Sequence, residues 1–194
     1  MARPSKKAER TEEILQAFQQ CVARYGLEGS TLEHIAQASG LQRSLVRHYV
    51  GNREALVEKL ADRVIEQSVD QWRGFLAMLP ATDMADALIE GLFEVEHSDA
   101  AFVLVIESLI FSAGHNPALQ KRMQHWMHTF SEDLFKLFQR DYPQVDEAAL
   151  RAVSFGIISL YFNLDSLSPL GMSTQYRPSA QEAAKRLVAS LHRT

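Results

Sequence analysis

The sequence predicts an all-α protein, with an N-terminal helix-turn-helix head and a larger C-terminal helical body. Three observations carry that expectation. No run alternates apolar and polar residues over strand length. Apolar side chains instead recur at three- and four-residue intervals, and the glycines and prolines fall between those periodic segments rather than at hairpin spacing. With 46% hydrophobic residues in 194, the chain has enough apolar surface for a substantial core.

The elements follow in order. Ile14, Phe18, Cys21, Val22 and Tyr25 share one face of a first helix, and Gly26 stands where a C-terminal cap is needed. Ser30 and Glu33 have capping-box spacing, so a short second helix is expected to start there, with Ile35 and Ala36 inward. Gly40 supplies the left-handed residue that ends it, and Leu41 plugs the turn. A third helix runs from about Gln42 to Tyr49. Val46 and Val50 lie one turn apart and face inward, while Arg43, Arg47 and His48 have no acidic neighbour before Glu54. Such a helix buries one side and offers a cationic, hydrogen-bonding side to a DNA major groove.

The head is placed at residues 1–51 and the body at 52–194. Asn52 caps a long helix through Leu56, Leu60 and Val64 that extends to the stop at Pro80. Asp83 to His97 form the next, with Leu88, Leu92 and Val95 inward, and Asp99 to Ala113 the one after, closed by Gly114. Asn116-Pro117 is a cap followed by proline at the first helical position of a helix reaching about Arg140. Asp146 opens Glu147 to Leu167, and after a polar loop a last helix spans about Ser179 to His192.

Charge is unevenly placed. The chain carries −4 overall, yet residues 1–60 hold a net +2 and the remainder −6. DNA affinity depends on where cations meet phosphates, so an acidic body with a basic end suits binding through that end. Arg3, Lys6, Lys7 and Arg10 form either an arm along the DNA backbone or a solvated tail. Cys21 is the only cysteine, which excludes an intrachain disulfide, suits a reducing cytoplasm and, within an apolar stripe, marks a small buried hydrophobe. The cationic N-terminus has no apolar region after it, and the longest strongly apolar stretch, Phe102 to Ile106, is far short of a membrane span. A cytoplasmic protein without a membrane partner is expected.

Thr31 to Leu56, reading T-x3-IA-x3-G-L and then L-V-R-H-Y-V-G-N-R-E-A-L, resembles the tetracycline-repressor-like (TetR) family of bacterial one-component regulators. Val50 stands where the family commonly has Phe, and Arg53 where it commonly has Lys. The resemblance implies a ligand-responsive regulator that needs no cofactor, most simply a repressor released from a palindromic operator by a small apolar or amphipathic inducer. It places Arg43, Ser44, Leu45, Arg47, His48 and Tyr49 at the DNA surface. Either arginine can engage guanine with its fork, or a phosphate less specifically. Thr31 and Arg53, near helix starts, are assigned to phosphate positioning.

The body is rich in aromatic residues between Asp83 and Arg140, and a ligand site there needs apolar walls with a few polar groups. Its expected lining is Phe93, Phe102, Glu107, Phe111, Trp126 and Phe130. His97, His128 and Asn163 are further polar residues within apolar stretches. A competing reading is a metal-dependent helical enzyme. Glu94-x-x-His97 has di-iron bundle spacing and His125-x-x-His128 brings two imidazoles to one face, but no second Glu-x-x-His accompanies them. No metal site is therefore assigned. A nonspecific architectural DNA-binding protein is the other alternative, disfavoured by the acidic body.

The last two helices suggest a homodimer. Ala148, Ala149, Ala152, Val153 and Gly156, with Ile157, Leu160 and Leu164, offer one stripe; Ala183, Ala184, Leu187, Val188 and Leu191 offer the other, though both also fit a monomer core. One helix-turn-helix reads few base pairs, so two-fold pairing is physically useful.

Overall fold

A computed structural model describes residues 6–94 and 99–193. Among them the chain is helical throughout, with no strand: α1 (Lys6–Gly29), α2 (Leu32–Ser39), α3 (Arg43–Val50), α4 (Arg53–Met78), α5 (Met84–Leu92), α6 (Ala100–Ala113), α7 (Pro117–Asp141), α8 (Glu147–Ser166) and α9 (Ser173–Ser190), with short 3-10 turns at Ser168–Leu170 and Leu191–Arg193. The helices form two compact units, residues 1–69 with 101–124 and residues 70–100 with 125–194.

In the first unit, α1, α2 and α3 pack on one another. Gly26 at φ 69° interrupts α1 and turns the chain toward α2. The second helix starts one residue later than its capping-box spacing suggested. Ser30 is buried and its hydroxyl donates to the Gly26 carbonyl, so it has no role at the cap. Thr31 is the N-cap instead: its Oγ1 accepts from the His34 amide at 3.2 Å, and His34 Nδ1 reaches back to the Thr31 amide. Gly40 closes α2 in the left-handed conformation at φ 66°. Ile14, Phe18, Ile35, Val46, Val50, Leu56 and Leu60 are all buried, each contributing about 1.5–3 kcal/mol of apolar transfer. Cys21 is buried as expected, and burial pushes its thiol up despite nearby Arg24. Asn52 caps α4 by accepting from the Ala55 amide, and Asn116 caps α7 by accepting from the Ala118 and Leu119 amides.

The second unit is built on one large core that includes Leu88, Ile89, Phe93, Leu134, Phe138, Leu150, Ile157, Ala184 and Val188. Here α5 is shorter than the expected Asp83 to His97. Asp83 is left-handed at φ 55° and gives no side-chain cap; the Asp141 carboxylate accepts from the Ala85 amide in its place. α5 ends at Leu92, and residues 95–98, with the expected inward Val95, lie outside the described residues. Asp146 caps α8 through the Ala149 amide. The expected loop before Ser179 is helical from Ser173: Pro178 falls within the second turn, where its missing N–H removes only the bond back to Thr174.

The two stripes offered for a dimer are largely the seam that packs α8 against α9 within the chain. Val153, Ile157, Leu164, Ala184, Val188 and Leu191 are buried in the core. A Cβ at Gly156 meets Leu187 Cδ1 at 2.8 Å. The face of α8 left open carries Ala148, Ala152 and Phe155, the last 72% exposed. No helix among the described residues is long and apolar enough to cross a membrane.

Candidate nucleic-acid interface

The third helix is only eight residues long, and its two faces differ sharply. Val46 and Val50 are buried, holding α3 to the head, while Arg43, Ser44, Leu45, Arg47 and His48 are exposed and Tyr49 is half-buried against the edge of His48. Among the described residues neither Arg43 nor Arg47 makes an ion pair or a hydrogen bond. Their forks, one helical turn apart, are therefore available to an external acceptor. Leu45, 41% exposed between them, is an apolar group suited to a thymine methyl.

Thr31 is exposed at the start of α2. Its oxygen accepts in the cap, which leaves the hydroxyl proton free to donate to a phosphate. Arg53 is placed differently from expectation. Its Nη1 donates to the Ser30 carbonyl at 2.8 Å, its Nη2 donates to the Leu27 carbonyl, and Glu28 lies 3.6 Å away. The guanidinium thus ties the start of α4 to the turn between α1 and α2. One neighbour, His34, was missed in the sequence, and Tyr25, expected on the inward face of the first helix, is 43% exposed. His34 stacks on Tyr25 with ring centroids 4.6 Å apart, and its Nδ1 lies 3.0 Å from the Gly29 carbonyl. The signal was present as T-x-x-H, but histidine is not the usual partner in a capping box. Arg3 of the possible arm lies outside the described residues; Lys6, Lys7 and Arg10 are exposed on α1, and Arg10 pairs with Glu13 at 2.6 Å.

No protein-family model matches the chain. Among curated proteins it is similar to the HTH-type transcriptional regulator BetI of Escherichia coli (strain SE11), at 21% identity over 182 residues and 92% of each chain. Among solved structures it superposes on a TetR-family transcriptional regulator from Cytophaga hutchinsonii with TM-score 0.80, at 16% identity and covering 97% of this chain and 98% of that one. A TetR transcription regulator from Haloarcula marismortui gives 0.75 at 17% identity, over 94% and 97%. The chain has the TetR-family fold.

Within this TetR-family fold the six residues expected to line a ligand site divide between the two units. Phe102, Glu107 and Phe111 belong to the first, where Phe102 is buried, Glu107 half-buried and Phe111 79% exposed. Phe93, Trp126 and Phe130 belong to the second, in a run of rings: Phe93 to Tyr161 at 6.5 Å, Tyr161 to Phe162 at 5.8 Å, and Phe162 to Trp126 at 5.8 Å and Phe130 at 6.1 Å. His128 and Asn163 are exposed. For the enzyme alternative, His97 lies outside the described residues and His125 and His128 are exposed; among the described residues no three His, Cys, Asp or Glu side chains gather as a metal site.

Sequence reasoning missed a buried polar group in the second unit. Asp165 on α8 and Arg177 on α9 are 6% and 7% exposed. Tyr161 lies one turn before Asp165; burial first, and then that carboxylate, push the phenol well above its ordinary range. Arg177 Nη1 donates to the carbonyls of Glu94 at 3.3 Å and Phe93 at 3.5 Å, where α5 ends.

Proposed function

We propose that the protein is a ligand-responsive, sequence-specific transcriptional regulator of the TetR family. It acts in the cytoplasm as a homodimeric repressor on a palindromic operator and is released by a small, mainly apolar inducer. The observation that carries this reading is α3 itself, with its valines buried and its two arginines exposed and without acceptors among the described residues. Residues 1–51 serve as the DNA-binding head and 52–194 as the ligand-binding and dimerising body. Arg43 and Arg47 read base edges with help from Ser44, Leu45, His48 and Tyr49, while Thr31 sets register on phosphate. The names of the similar proteins support the same reading.

Dimerisation is assigned to the open face of α8 around Ala148, Ala152 and Phe155 rather than to the buried α8–α9 seam. Of the six ligand positions, Phe93, Trp126 and Phe130 are retained as effector-facing because Phe93 contacts Tyr161 and the other two reach it through Phe162. No catalytic role is assigned to the chain.

Selection of bound genomic fragments with purified protein tests the proposal. Enriched fragments should share an inverted repeat whose half-sites present successive major grooves about 34 Å apart. Equal affinity for scrambled duplexes rejects it in favour of an architectural protein.

A further inference from the structure

His34 on α2 holds one ring nitrogen between two backbone groups that ask opposite things of it. The Thr31 amide, 3.5 Å from Nδ1, needs an acceptor, while the Gly29 carbonyl, 3.0 Å from the same atom, needs a donor. A ring nitrogen satisfies only one of them in a given protonation state. With the proton on Nε2 alone, Nδ1 accepts from Thr31 and completes the capping box. With Nδ1 protonated, in the other neutral tautomer or in the imidazolium, it donates to Gly29 and releases the Thr31 amide. A glutamate at this position would only accept.

The surroundings admit the cation. The ring is half-buried and stacks on Tyr25, with centroids 4.6 Å apart and planes at 29°, so a positive ring gains from the phenol face. Charged and titratable groups on the elements around it are Arg24 and Glu28 on α1, Glu33 on α2 itself, Arg43, Arg47 and His48 on α3, and Arg53 at the start of α4. Arg24 lies 5.2 Å from the Tyr25 centroid and opposes a second cation there, while Glu28 is shared with Arg53 at 3.6 Å. Among the described residues no carboxylate pairs with the imidazole, so no ion pair fixes its protonation before DNA arrives.

DNA brings the charge that does. Thr31 is exposed, its Oγ1 accepts in the cap, and its hydroxyl proton is the group assigned to a phosphate. Nδ1 is 3.5 Å from the Thr31 amide, so a phosphate on that residue falls within the Debye length of about 8 Å at physiological salt and favours the protonated ring. The protonated ring turns Nδ1 to the Gly29 carbonyl and frees the Thr31 amide, which acts in the same direction.

We propose that His34 is a proton-coupled positioning residue that acts through Thr31, and that DNA binding takes up a proton on its ring. This rests on the reading of the head as DNA-binding and makes that binding respond to pH. The sign follows from linkage. A proton held more tightly in the complex strengthens binding below the ordinary histidine range, and the gain is lost as pH rises through that range.

The test uses the full-length protein and a duplex carrying the inverted repeat recovered by the genomic selection, titrated at constant ionic strength from about pH 8.5 to about pH 5.5, which spans the histidine range. On acidification the wild type should gain about tenfold more affinity than His34→Gln, which keeps a capping-box side chain and cannot titrate. His48 titrates in both proteins and cancels in the difference. In the wild type, the His34 C2 proton resonance should hold its protonated position to higher pH with the duplex bound than without it. That measurement decides if His34→Gln does not fold. A cap with a purely structural role would lower Tm in the variant and leave the two pH profiles parallel. Parallel profiles, or a His34 resonance that the duplex leaves unmoved or shifts to lower pH, overturn the proposal while specific binding stands. Failure of the wild type to prefer the duplex over scrambled DNA at every pH overturns the DNA-binding reading, and the proposal with it.

Discussion

The arginines of α3 and those of the rest of the chain are the same side chain in opposite circumstances. Arg63 pairs with Glu12 and Gln19, Arg122 with Asp62 and Glu58, and Arg151 with Glu132 and Glu147 while lying over the Phe135 ring. Arg53 holds two carbonyls. Arg43 and Arg47 face solvent with nothing of their own chain to bond among the described residues; Arg73 on α4 does so too, but only the α3 pair stands one turn apart on a short helix anchored by buried valines. Arg177 has the opposite problem, being enclosed with its Nε short of an acceptor among the described residues. Unmet hydrogen-bonding capacity together with placement on a short anchored helix, and not charge itself, separates the α3 pair from the arginines that hold the fold.

The largest effect is expected from removing the α3 pair. A good bidentate contact to guanine contributes about 1–3 kcal/mol of discrimination. The double variant Arg43→Ala/Arg47→Ala should therefore lose roughly 10²- to 10⁴-fold in specific operator affinity, with helix content by circular dichroism unchanged because both side chains are exposed. Unchanged affinity and sequence preference in that variant defeats the assignment of α3 to base reading.

The open face of α8 comes next. Phe155→Glu places a charge on a residue already in solvent, so the monomer fold should persist while sedimentation shifts toward monomer and operator binding weakens. Gly156→Leu, one residue along, should behave in the opposite way. It overpacks the seam against Leu187 and should cost about 1–3 kcal/mol of stability before it affects association. If Phe155→Glu remains fully dimeric at micromolar concentration, that face is not the interface.

Arg53 sharpens the comparison at a smaller scale. Losing a donor to two carbonyls at the turn between α1 and α2 should cost about 1–2 kcal/mol, read as a lower Tm. A residue serving a phosphate leaves a different trace: Arg53→Ala then reduces the salt dependence of DNA binding by about one phosphate contact. A lower Tm with an unchanged salt slope is the expected outcome.

How far the sequence foretold these features follows from how local each one is. Gly40 and the Val46–Val50 spacing settle the turn and the inward face of α3 within a dozen residues, so the head was readable. Ser30 and Thr31 both satisfy the capping rule, and only the packing of the turn at Gly26 takes Ser30 inside and leaves Thr31 to cap. The start of α9 was hidden because Ser173 to Pro178 has no apolar periodicity and contains a proline. Arg177 was invisible because it is one polar residue in a surface-like stretch that only the tertiary fold encloses, whereas Asp165, the lone charge between Arg151 and Arg177 in an apolar segment, was a signal that sequence reasoning passed over. The α8 and α9 stripes show the converse, since apolar spacing identifies a buried face without saying whether the same chain or a second copy covers it.

The smallest effect concerns Tyr161, the phenol of the enclosed group. Burial and the Asp165 carboxylate both favour its protonated form, with Arg177 opposing them, and the net result lies well above the ordinary phenol value near 10. In the unfolded chain Tyr161 ionises near that ordinary value, so above it the unfolded state binds fewer protons than the folded state. Stability conferred by the neutral phenol is therefore fully present below pH 10 and declines as pH rises from there toward the folded value. Tyr142 is also raised, by its burial and nearby aspartates, so the ultraviolet titration is compared with that of Tyr161→Phe. The substitution should remove a tyrosine that stays protonated until the protein unfolds and should flatten the alkaline fall in Tm. Arg177→Met removes the opposing cation and should push the phenol higher still, whereas Asp165→Asn should bring it down. If Tyr161 titrates near pH 10 in the folded protein, the enclosed Asp165–Arg177 arrangement is wrong, and with it the contrast between arginines offered to DNA and the one enclosed in the body.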